Sequence, residues 1–277
     1  MAVTATQVKE LRDLTNAGML DCKKALEASN GNIDEAMKIL KEKGLADAKK
    51  RSDRETKEGG VYVGTKDGKV AIALVACETD FVANNAQFKD ACNELVGKII
   101  DKGSENADDY KEDLQHIAQI TKENVNVKKL KCLNVADNQY VSTYIHGNNQ
   151  IGVVVVYEMA DKAVAEKTEF ADMAKNIALH VAASAPMYLV GDDVPEADLE
   201  EQKAIFAKQM EGENKPANIL ENILKGKLSK YKSEICLMDQ KYIKDDKISV
   251  QQYVANTSKT LGAEVKVVNF IRFNVGE

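Results

Sequence analysis

The chain has 277 residues, of which 44% are apolar and 30% charged, and its 44 acidic residues against 38 Lys and Arg give a net charge of −6. This length suits one large domain or two to three smaller ones, with a composition typical of globular proteins. The acidic balance argues against general nucleic-acid binding, because phosphate contacts need a basic surface. We therefore expect no direct contact with nucleic acid, while a partner that itself binds RNA stays open.

Membrane insertion and metal chemistry are not indicated either. No run approaches the ~20 apolar residues of a membrane span, and MAVTATQVKE at the start lacks the pattern of a secretory signal. The three histidines form no HxxxH or HExxH motif. We expect a cytoplasmic protein with no cofactor or bound metal. Neither a disulfide framework nor a zinc site is predicted from the cysteines, which are scattered and form no CxxC pair: Cys22, Cys77, Cys92, Cys132 and Cys236.

The first 45 residues predict three short helices. The apolar face of the first helix extends to Leu14, and a break at Asn16–Gly18 separates it from a second helix that begins at Met19. The third helix is amphipathic, and its expected end is Gly44. Three short helices joined by tight turns are typical of a small bundle of the ubiquitin-associated type.

An internal repeat follows these helices. Sliding the sequence on itself by 82 residues superposes two long stretches without a gap, so that Ala71–Leu74 falls on Val153–Val156 and Phe88 falls on Phe170. Each copy has the pattern of a strand, a hairpin turn, an apolar strand, a loop and a helix. The repeat predicts an α+β fold with two related subdomains, each an antiparallel sheet with helices on one face.

The predicted organisation also includes a helical insertion. Residues from about 196 to 234 carry two helical patterns, one with heptad spacing, and their many charges predict an antiparallel hairpin that protrudes from the core. The turn between the two helices is expected at residues 211–216. The expected parts of the chain are a three-helix domain at 1–45, a charged linker or solvated helix at 46–59, core subdomain 1 at 60–139, and core subdomain 2 at 140–277.

The stretch ETDFVANN, Glu78–Asn85, connects the apolar strand of the first copy to its helix. It carries Asp80 beside Phe81, where loops normally hold small polar residues. The second copy has Ala163 at the position of Phe81, so the fold itself does not require an aromatic side chain there. The mismatch weakens the interpretation of Phe81 as a core residue and favours a contact with another protein.

No catalytic motif accompanies this loop. The sequence contains no GxSxG elbow, and no GxGxxG follows a strand and opens a helix. His180, flanked by apolar residues on a predicted helix, is interpreted as a hydrogen-bonded core histidine. We expect a binding protein and not an enzyme.

Four stretches, read in order, resemble the elongation factor Ts family. They are TNAGMLDCKKAL (Thr15–Leu26), TDFV (Thr79–Val82), HGNNQIGV (His146–Val153) and HVAASAP (His180–Pro186). The resemblance covers nearly the whole chain. It implies a translation factor that acts as a guanine-nucleotide exchange factor for elongation factor Tu, the GTPase that delivers aminoacyl-tRNA to the ribosome.

The resemblance also implies site residues. In the family the N-terminal domain and first subdomain contact the nucleotide-binding domain of the GTPase, and the second subdomain contacts another of its domains. Residues expected to displace the partner's Mg²⁺ are Thr79, Asp80, Phe81 and Val82. Residues expected to contact the partner are Arg12, Met19, Leu20, Lys23, His146 and Gly147.

Several alternatives stay open. Met19 is either a partner contact or part of the core of the small bundle, and His146 is either a partner contact or a residue of a solvated turn. Gln150 stands where the family usually has arginine, which removes one expected ion pair. The chain ends at Glu277, without the C-terminal helix of some members. A homodimer of heterodimers is one assembly consistent with the helical hairpin. The alternative function is an adaptor or chaperone-like scaffold that binds through its small helical domain.

Overall fold

The computed structural model describes residues 3–15, 17–210 and 216–277. The helices are α1 (Ala5–Thr15), α2 (Met19–Ala28), α3 (Ile33–Arg51), α4 (Asp80–Ala83), α5 (Ala86–Lys102), α6 (Lys111–Thr121), α7 (Thr168–Ser184), α8 (Glu196–Gln209), α9 (Ala217–Ile235) and α10 (Val250–Leu261). The strands are β1 (Glu58–Lys66), β2 (Lys69–Cys77), β3 (Asn126–Asn134), β4 (Gln139–His146), β5 (Ile151–Met159), β6 (Lys241–Tyr242), β7 (Asp245–Ser249) and β8 (Val265–Asn274).

The strands form three sheets. Two of them have three strands, in the orders β1-β2-β3 and β4-β5-β8, and β6 pairs with β7. In the first sheet both pairings are antiparallel. The α+β class predicted from the sequence is therefore confirmed. The C-terminal strand, β8, joins the second sheet as expected.

The chain divides into two compact units. Unit 1 comprises Met1–Asn134, Ile145–Gly152 and Phe273–Glu277, and unit 2 comprises Val135–Tyr144 and Val153–Arg272. The tip of the β4–β5 hairpin thus belongs to unit 1, together with the first sheet. The domain boundaries derived from the sequence stay a prediction.

Helices α1 to α3 enclose a small apolar core. The Asn32 side chain caps α3 by accepting a hydrogen bond from the Glu35 N–H at 3.1 Å, which satisfies a donor that the first turn leaves free. Leu14, predicted on the apolar face of α1, is instead 61% exposed, whereas Val8 and Leu11 of the same helix are buried. Asn16, part of the predicted break, lies outside the described residues. Side chains with no exposed surface in this core are Leu11, Cys22, Leu26 and Ala36.

Helix α3 is longer than the sequence predicts. It does not end at Gly44 but continues to Arg51, so the first part of the expected linker is helix. Gly44 lies where α3 passes α6, and a Cβ atom there would stand 2.3 Å from Nε2 of Gln119. The same Nε2 donates a hydrogen bond to the Leu40 carbonyl at 2.9 Å. The glycine therefore permits close packing inside the helix and does not terminate it.

The internal repeat is confirmed in the structure. Strand β5 and helix α7 each begin and end 82 residues after β2 and α5. Phe88 on α5 and Phe170 on α7 are both fully buried. In both copies a helix covers the face of a hairpin whose second strand is almost entirely buried. The period of the sequence thus reproduces the period of the fold.

Strand β2 is the centre of the unit 1 core. It pairs with β1 on one side and β3 on the other, and every residue after Lys69 is buried. Such a central position suits its continuous apolar sequence. Helix α5 packs on this sheet through Phe88, Leu95 and Ile99, none more than 1% exposed. A rigid sheet and helix therefore flank the connection that contains Phe81.

In unit 2, aromatic side chains pack around α7. Phe170 makes edge-to-face contacts with Tyr140, at a centroid distance of 5.0 Å, and with Tyr157, at 5.5 Å. Helices α8 and α9 contact each other through Phe206 and Tyr231, whose rings are 6.3 Å apart. No described residue of α8 is buried. Residues 211–215 of the predicted turn between these helices lie outside the described residues.

His180 is a fully buried residue of α7 that joins three segments of unit 2. Its Nδ1 accepts a hydrogen bond from the Ile243 N–H at 3.2 Å, so its ring proton lies on Nε2, 2.9 Å from Oε1 of Gln240. The Gln240 amide in turn donates to the carbonyls of Ser184 and Glu234. This neutral, hydrogen-bonded histidine matches the interpretation from the sequence. Burial lowers the pKa of the imidazole.

We expect unit 2 to lose stability as the pH falls below about 6.5, the ordinary pKa of histidine. The folded state has the lowered pKa, so the unfolded chain binds the proton more readily. The stabilising contribution is complete above the unfolded pKa of about 6.5 and is lost as the pH falls toward the folded value. Urea denaturation at several pH values measures this, and His180→Gln should flatten the profile. The matched control, His116→Gln at an exposed position, should keep the wild-type slope, and equal slopes for both variants would contradict the prediction.

Candidate functional site

The Thr79–Val82 segment forms the first residues of a single helical turn directly after β2. Thr79 has an extended backbone and caps α4, its Oγ1 accepting a hydrogen bond from the Val82 N–H at 3.3 Å. Ala83 is buried and Val82 is half-buried, and both contact the unit 1 core. Phe81 points the other way and is 84% exposed, more than any other large apolar side chain among the described residues. The turn therefore presents a bare aromatic ring on a short, capped support.

A carboxylate beneath the turn fixes its first residues. The Glu123 side chain accepts hydrogen bonds from the N–H groups of Glu78 and Thr79, at 2.9 and 3.0 Å, and from the Thr79 hydroxyl at 2.6 Å. The Glu78 carboxylate accepts from the Asn124 N–H at 2.6 Å. Hydrogen bonds to ionised carboxylates are stronger than those between neutral groups. The start of the turn is therefore fixed to the segment that precedes β3.

The thiol beneath the turn is not a nucleophile. Cys77 is buried at the end of β2, and its Sγ donates to the Thr79 carbonyl at 3.3 Å. Burial raises the pKa of the Cys77 thiol to about 12, so it stays protonated at neutral pH. All five cysteines are free thiols. This cysteine belongs to the support of Phe81 and not to a reactive centre.

The β4–β5 turn contacts the same region. Asn148 donates a side-chain hydrogen bond to the Asn84 side chain, one residue after α4, and accepts one from Nζ of Lys89 at 2.7 Å. Gly147 and Asn148 adopt left-handed backbone conformations, with φ of 60° and 55°. His146 and Gly147, both expected to contact a partner, are exposed beside this junction. The structure thus brings two of the predicted site elements together on one surface of unit 1.

The remaining predicted contacts lie on α1 and α2. Met19 and Leu20, in the first turn of α2, are 61% and 64% exposed. The alternative that Met19 belongs to the core is therefore wrong. Arg12 and Lys23 are also exposed. These four residues occupy the N-terminal helices, which unit 1 holds against α6 through the Gln119–Leu40 hydrogen bond and the Lys41–Glu112 ion pair at 3.7 Å.

Sequence reasoning missed three residues of this surface. Leu14, expected on the apolar face of α1, is 61% exposed near the end of that helix. Asn148 and Glu123 support the β4–β5 turn and the Phe81 turn, but neither residue is part of a recognisable sequence motif. A signal for Glu123 does exist, because an acidic residue just after a helix C-terminus opposes the helix dipole and needs another reason to be there. Its hydrogen bonds to the Phe81 turn supply that reason.

The surface is suited to binding another protein. Across the described ranges 3–15, 17–210 and 216–277, no group of three or more His, Cys, Asp or Glu side chains could hold a metal ion. Within these ranges the structure also has no helix with the length and apolar character needed to cross a bilayer. What the surface does offer is exposed apolar side chains on rigid supports, at Met19, Leu20 and Phe81. Such side chains are typical anchors of protein interfaces.

Comparison with known proteins identifies the family. The family model described as Elongation factor TS matches residues 78–277. Elongation factor Ts of Borrelia hermsii is 39% identical over 278 residues, covering 100% of both chains. Elongation factor Ts of Treponema denticola is 40% identical, covering 100% of this chain and 99% of that protein, and that of Borreliella burgdorferi is 39% identical, covering 99% of each. The chain therefore belongs to the elongation factor Ts family, a family of translation elongation factors.

Proposed function

We propose that this protein is a guanine-nucleotide exchange factor that binds elongation factor Tu, disturbs its Mg²⁺ and phosphate site, and promotes release of GDP. The observation that carries the proposal is Phe81, a large aromatic side chain 84% exposed at the tip of a turn fixed at both ends. Exposing such a side chain to water brings no benefit to the isolated fold. It is explained by a partner that buries the ring.

The mechanism needs no covalent chemistry, and the protein is not an enzyme. A GTPase holds its nucleotide through backbone amides and a Mg²⁺ ion on the phosphates. Mg²⁺ requires nearly ideal octahedral geometry, so a small displacement of the groups around it strongly weakens the binding of the nucleotide. Asp80 meets polar groups near that site, and Phe81 enters between apolar side chains behind them. Thr79 and Val82 hold the turn that carries both.

Exchange follows from linkage between two binding sites. The factor must bind the nucleotide-free GTPase more tightly than the GDP-bound form. By reciprocity, GDP weakens the binding of the factor by the same ratio as the factor weakens the binding of GDP. Contacts spread over several elements supply the binding free energy. Arg12, Met19, Leu20 and Lys23 provide them on the N-terminal helices, and His146 and Gly147 provide them on the β4–β5 turn. The Phe81 turn directs part of that energy at the Mg²⁺ site.

The three N-terminal helices form a module of the ubiquitin-associated type, and α8 and α9 form a protruding antiparallel hairpin. In support, α1–α3 have their own apolar core, and α8 contacts α9 while burying no described residue. The protein works in the cytoplasm without a cofactor and without binding nucleic acid or membrane. A homodimer of heterodimers is the assembly in which the hairpin would join two copies.

Measuring GDP release tests the function directly. Purified elongation factor Tu loaded with a fluorescent GDP analogue is mixed with excess GDP, with and without this protein, in a stopped-flow instrument. We expect at least a tenfold faster release at saturating protein, which corresponds to ~1.4 kcal/mol or more of barrier lowering. Chelation of Mg²⁺ in the absence of the protein provides the reference rate for loss of the ion. Release that does not change with protein concentration would contradict the proposal.

A scaffold function is the second candidate. The exposure of Leu14, Met19 and Leu20 on the N-terminal helices favours it, because a module of this kind can bind a peptide or a folded domain on its own. The two functions differ in their response to nucleotide. A complex with elongation factor Tu that GDP dissociates supports exchange, whereas binding that is independent of GDP supports the scaffold.

A further inference from the structure

Two glutamates from different segments exchange backbone hydrogen bonds beneath the Phe81 turn. The Glu123 carboxylate accepts from the backbone of residues 78 and 79, and the Glu78 carboxylate accepts from the backbone of residue 124. We name this arrangement the crossed glutamate pair. Each side chain binds the main chain beside the other, so neither segment can shift without breaking the hydrogen bonds of both. Only 19% of the Glu78 side chain is exposed, which limits competition from water.

A third segment joins the crossed glutamate pair. The Asn124 side-chain amide donates to the carbonyls of Ser52 and Arg54, at 3.1 and 2.7 Å. The Arg54 guanidinium lies 3.3 Å from the Glu78 carboxylate. Residues 52–54 follow directly after α3, the last of the N-terminal helices. The chain that leaves the N-terminal helices is therefore fastened at the same point as the turn that carries Phe81.

We propose that Glu123 is a positioning residue for nucleotide exchange: through the crossed glutamate pair it sets the direction of the Phe81 ring relative to the N-terminal helices. This inference rests on the proposed function. Glu123 is itself half-buried beneath the turn, and its effect on a partner passes through residues 78 and 79. The proposed binding contacts on α1, α2 and the β4–β5 turn are made by other segments than the one that carries Glu123. Loss of its carboxylate therefore lowers the maximal exchange rate more than it weakens the complex.

The test compares three variants. Glu123→Ala removes all three hydrogen bonds to the turn. Glu123→Gln keeps a carbonyl oxygen that can accept from both N–H groups and should restore most of the activity. Glu105→Ala is the matched control, because Glu105 also joins a side chain to backbone in unit 1, accepting from the Cys132 N–H at 2.9 Å, but it lies on a different segment from the turn. GDP release from elongation factor Tu is measured as a function of factor concentration, alongside thermal unfolding.

For Glu123→Ala we expect the saturating rate to fall by about tenfold, with a smaller change in the concentration that gives half the maximal rate. Hydrogen–deuterium exchange of the peptide containing residues 78–83 should quicken in this variant and remain unchanged in Glu105→Ala. If Glu123 and Glu105 both had purely structural roles, each alanine variant would have a lower unfolding temperature. The maximal rate and the half-saturating concentration would then not change by different factors in Glu123→Ala. The hydrogen-exchange measurement reports on the turn even if Glu123→Ala is too unstable for kinetics at higher temperature.

The outcomes separate this inference from the function on which it rests. If the unmodified protein accelerates GDP release and Glu123→Ala matches its saturating rate, the positioning role is overturned and the exchange function stands. Unchanged hydrogen exchange of the turn in Glu123→Ala would also overturn it. If the unmodified protein does not accelerate release, the exchange function fails, and the role of Glu123 in exchange fails with it.

Discussion

Replacing Phe81 by alanine is expected to lower the saturating rate of GDP release from elongation factor Tu by about tenfold or more. Truncation of a buried aromatic anchor at a protein interface often costs ~2 kcal/mol or more, and each ~1.4 kcal/mol is a factor of ten in rate. The ring is 84% exposed in this protein, so its burial must come from the partner. Stopped-flow release of a fluorescent GDP analogue measures the effect.

The same substitution should hardly change the free energy of unfolding. An exposed position usually contributes less than ~0.5 kcal/mol to the free energy of unfolding, and the second copy of the repeat carries Ala163 at the equivalent place. Ile205→Ala, at a 44% exposed position on α8, is a control for simple loss of exposed apolar surface and should release GDP at the wild-type rate. Unchanged release by Phe81→Ala would exclude the insertion mechanism, and a large loss of stability would place Phe81 in the core.

Complex formation should weaken less than exchange in this variant. The N-terminal helices and the β4–β5 turn still present their contacts when the ring is absent. The affinity for nucleotide-free elongation factor Tu, measured by calorimetry, should therefore fall by a smaller factor than the exchange rate. An equal fall in both would mean that Phe81 only holds the partner and does not act on its Mg²⁺ site.

The repeat made much of the fold predictable. Sliding the sequence by 82 residues pairs Phe88 with Phe170, and the structure buries both on equivalent helices, α5 and α7. Strand and helix patterns in a sequence arise from the side chains that are buried on folding. In a duplicated core the same buried positions occur twice, so the pattern can be recognised twice. The mismatch of Phe81 with Ala163 identified the exposed ring for the same reason. A position that the core does not use is free to differ between the copies.

Other features depend on contacts that no local pattern encodes. Gly44 has the signature of a helix end, yet α3 continues past it because the glycine meets α6, 75 positions along the chain at Gln119. Leu14 has the spacing of a core residue, but α1 ends one residue later, at Thr15. Glu123 supports the Phe81 turn from 44 residues away. Each of these depends on tertiary neighbours, which become known only when the chain is folded.

Phe88→Ala is expected to have the opposite consequence to Phe81→Ala. Phe88 has no exposed surface, lies on the buried face of α5, and makes an edge-to-face contact with Tyr62 at a centroid distance of 6.2 Å. Truncating a buried phenylalanine typically costs ~3–5 kcal/mol, from lost transfer free energy and from the cavity that remains. Unit 1 should therefore unfold at markedly lower urea concentration. Circular dichroism across a urea titration measures the shift of the midpoint.

Two comparisons make this second prediction sharp. Phe170→Ala removes the equivalent ring from the other copy and should destabilise unit 2 by a similar amount, whereas Phe81→Ala, seven residues from Phe88, should leave the midpoint in place. At a temperature where Phe88→Ala remains folded, its exchange rate should stay closer to wild type than that of Phe81→Ala, because the exposed ring is still present. A Phe88→Ala protein as stable as wild type would show that α5 does not hold the sheet as the packing indicates. Selective loss of exchange in Phe88→Ala without loss of stability would instead mean that the core ring controls the direction of the turn.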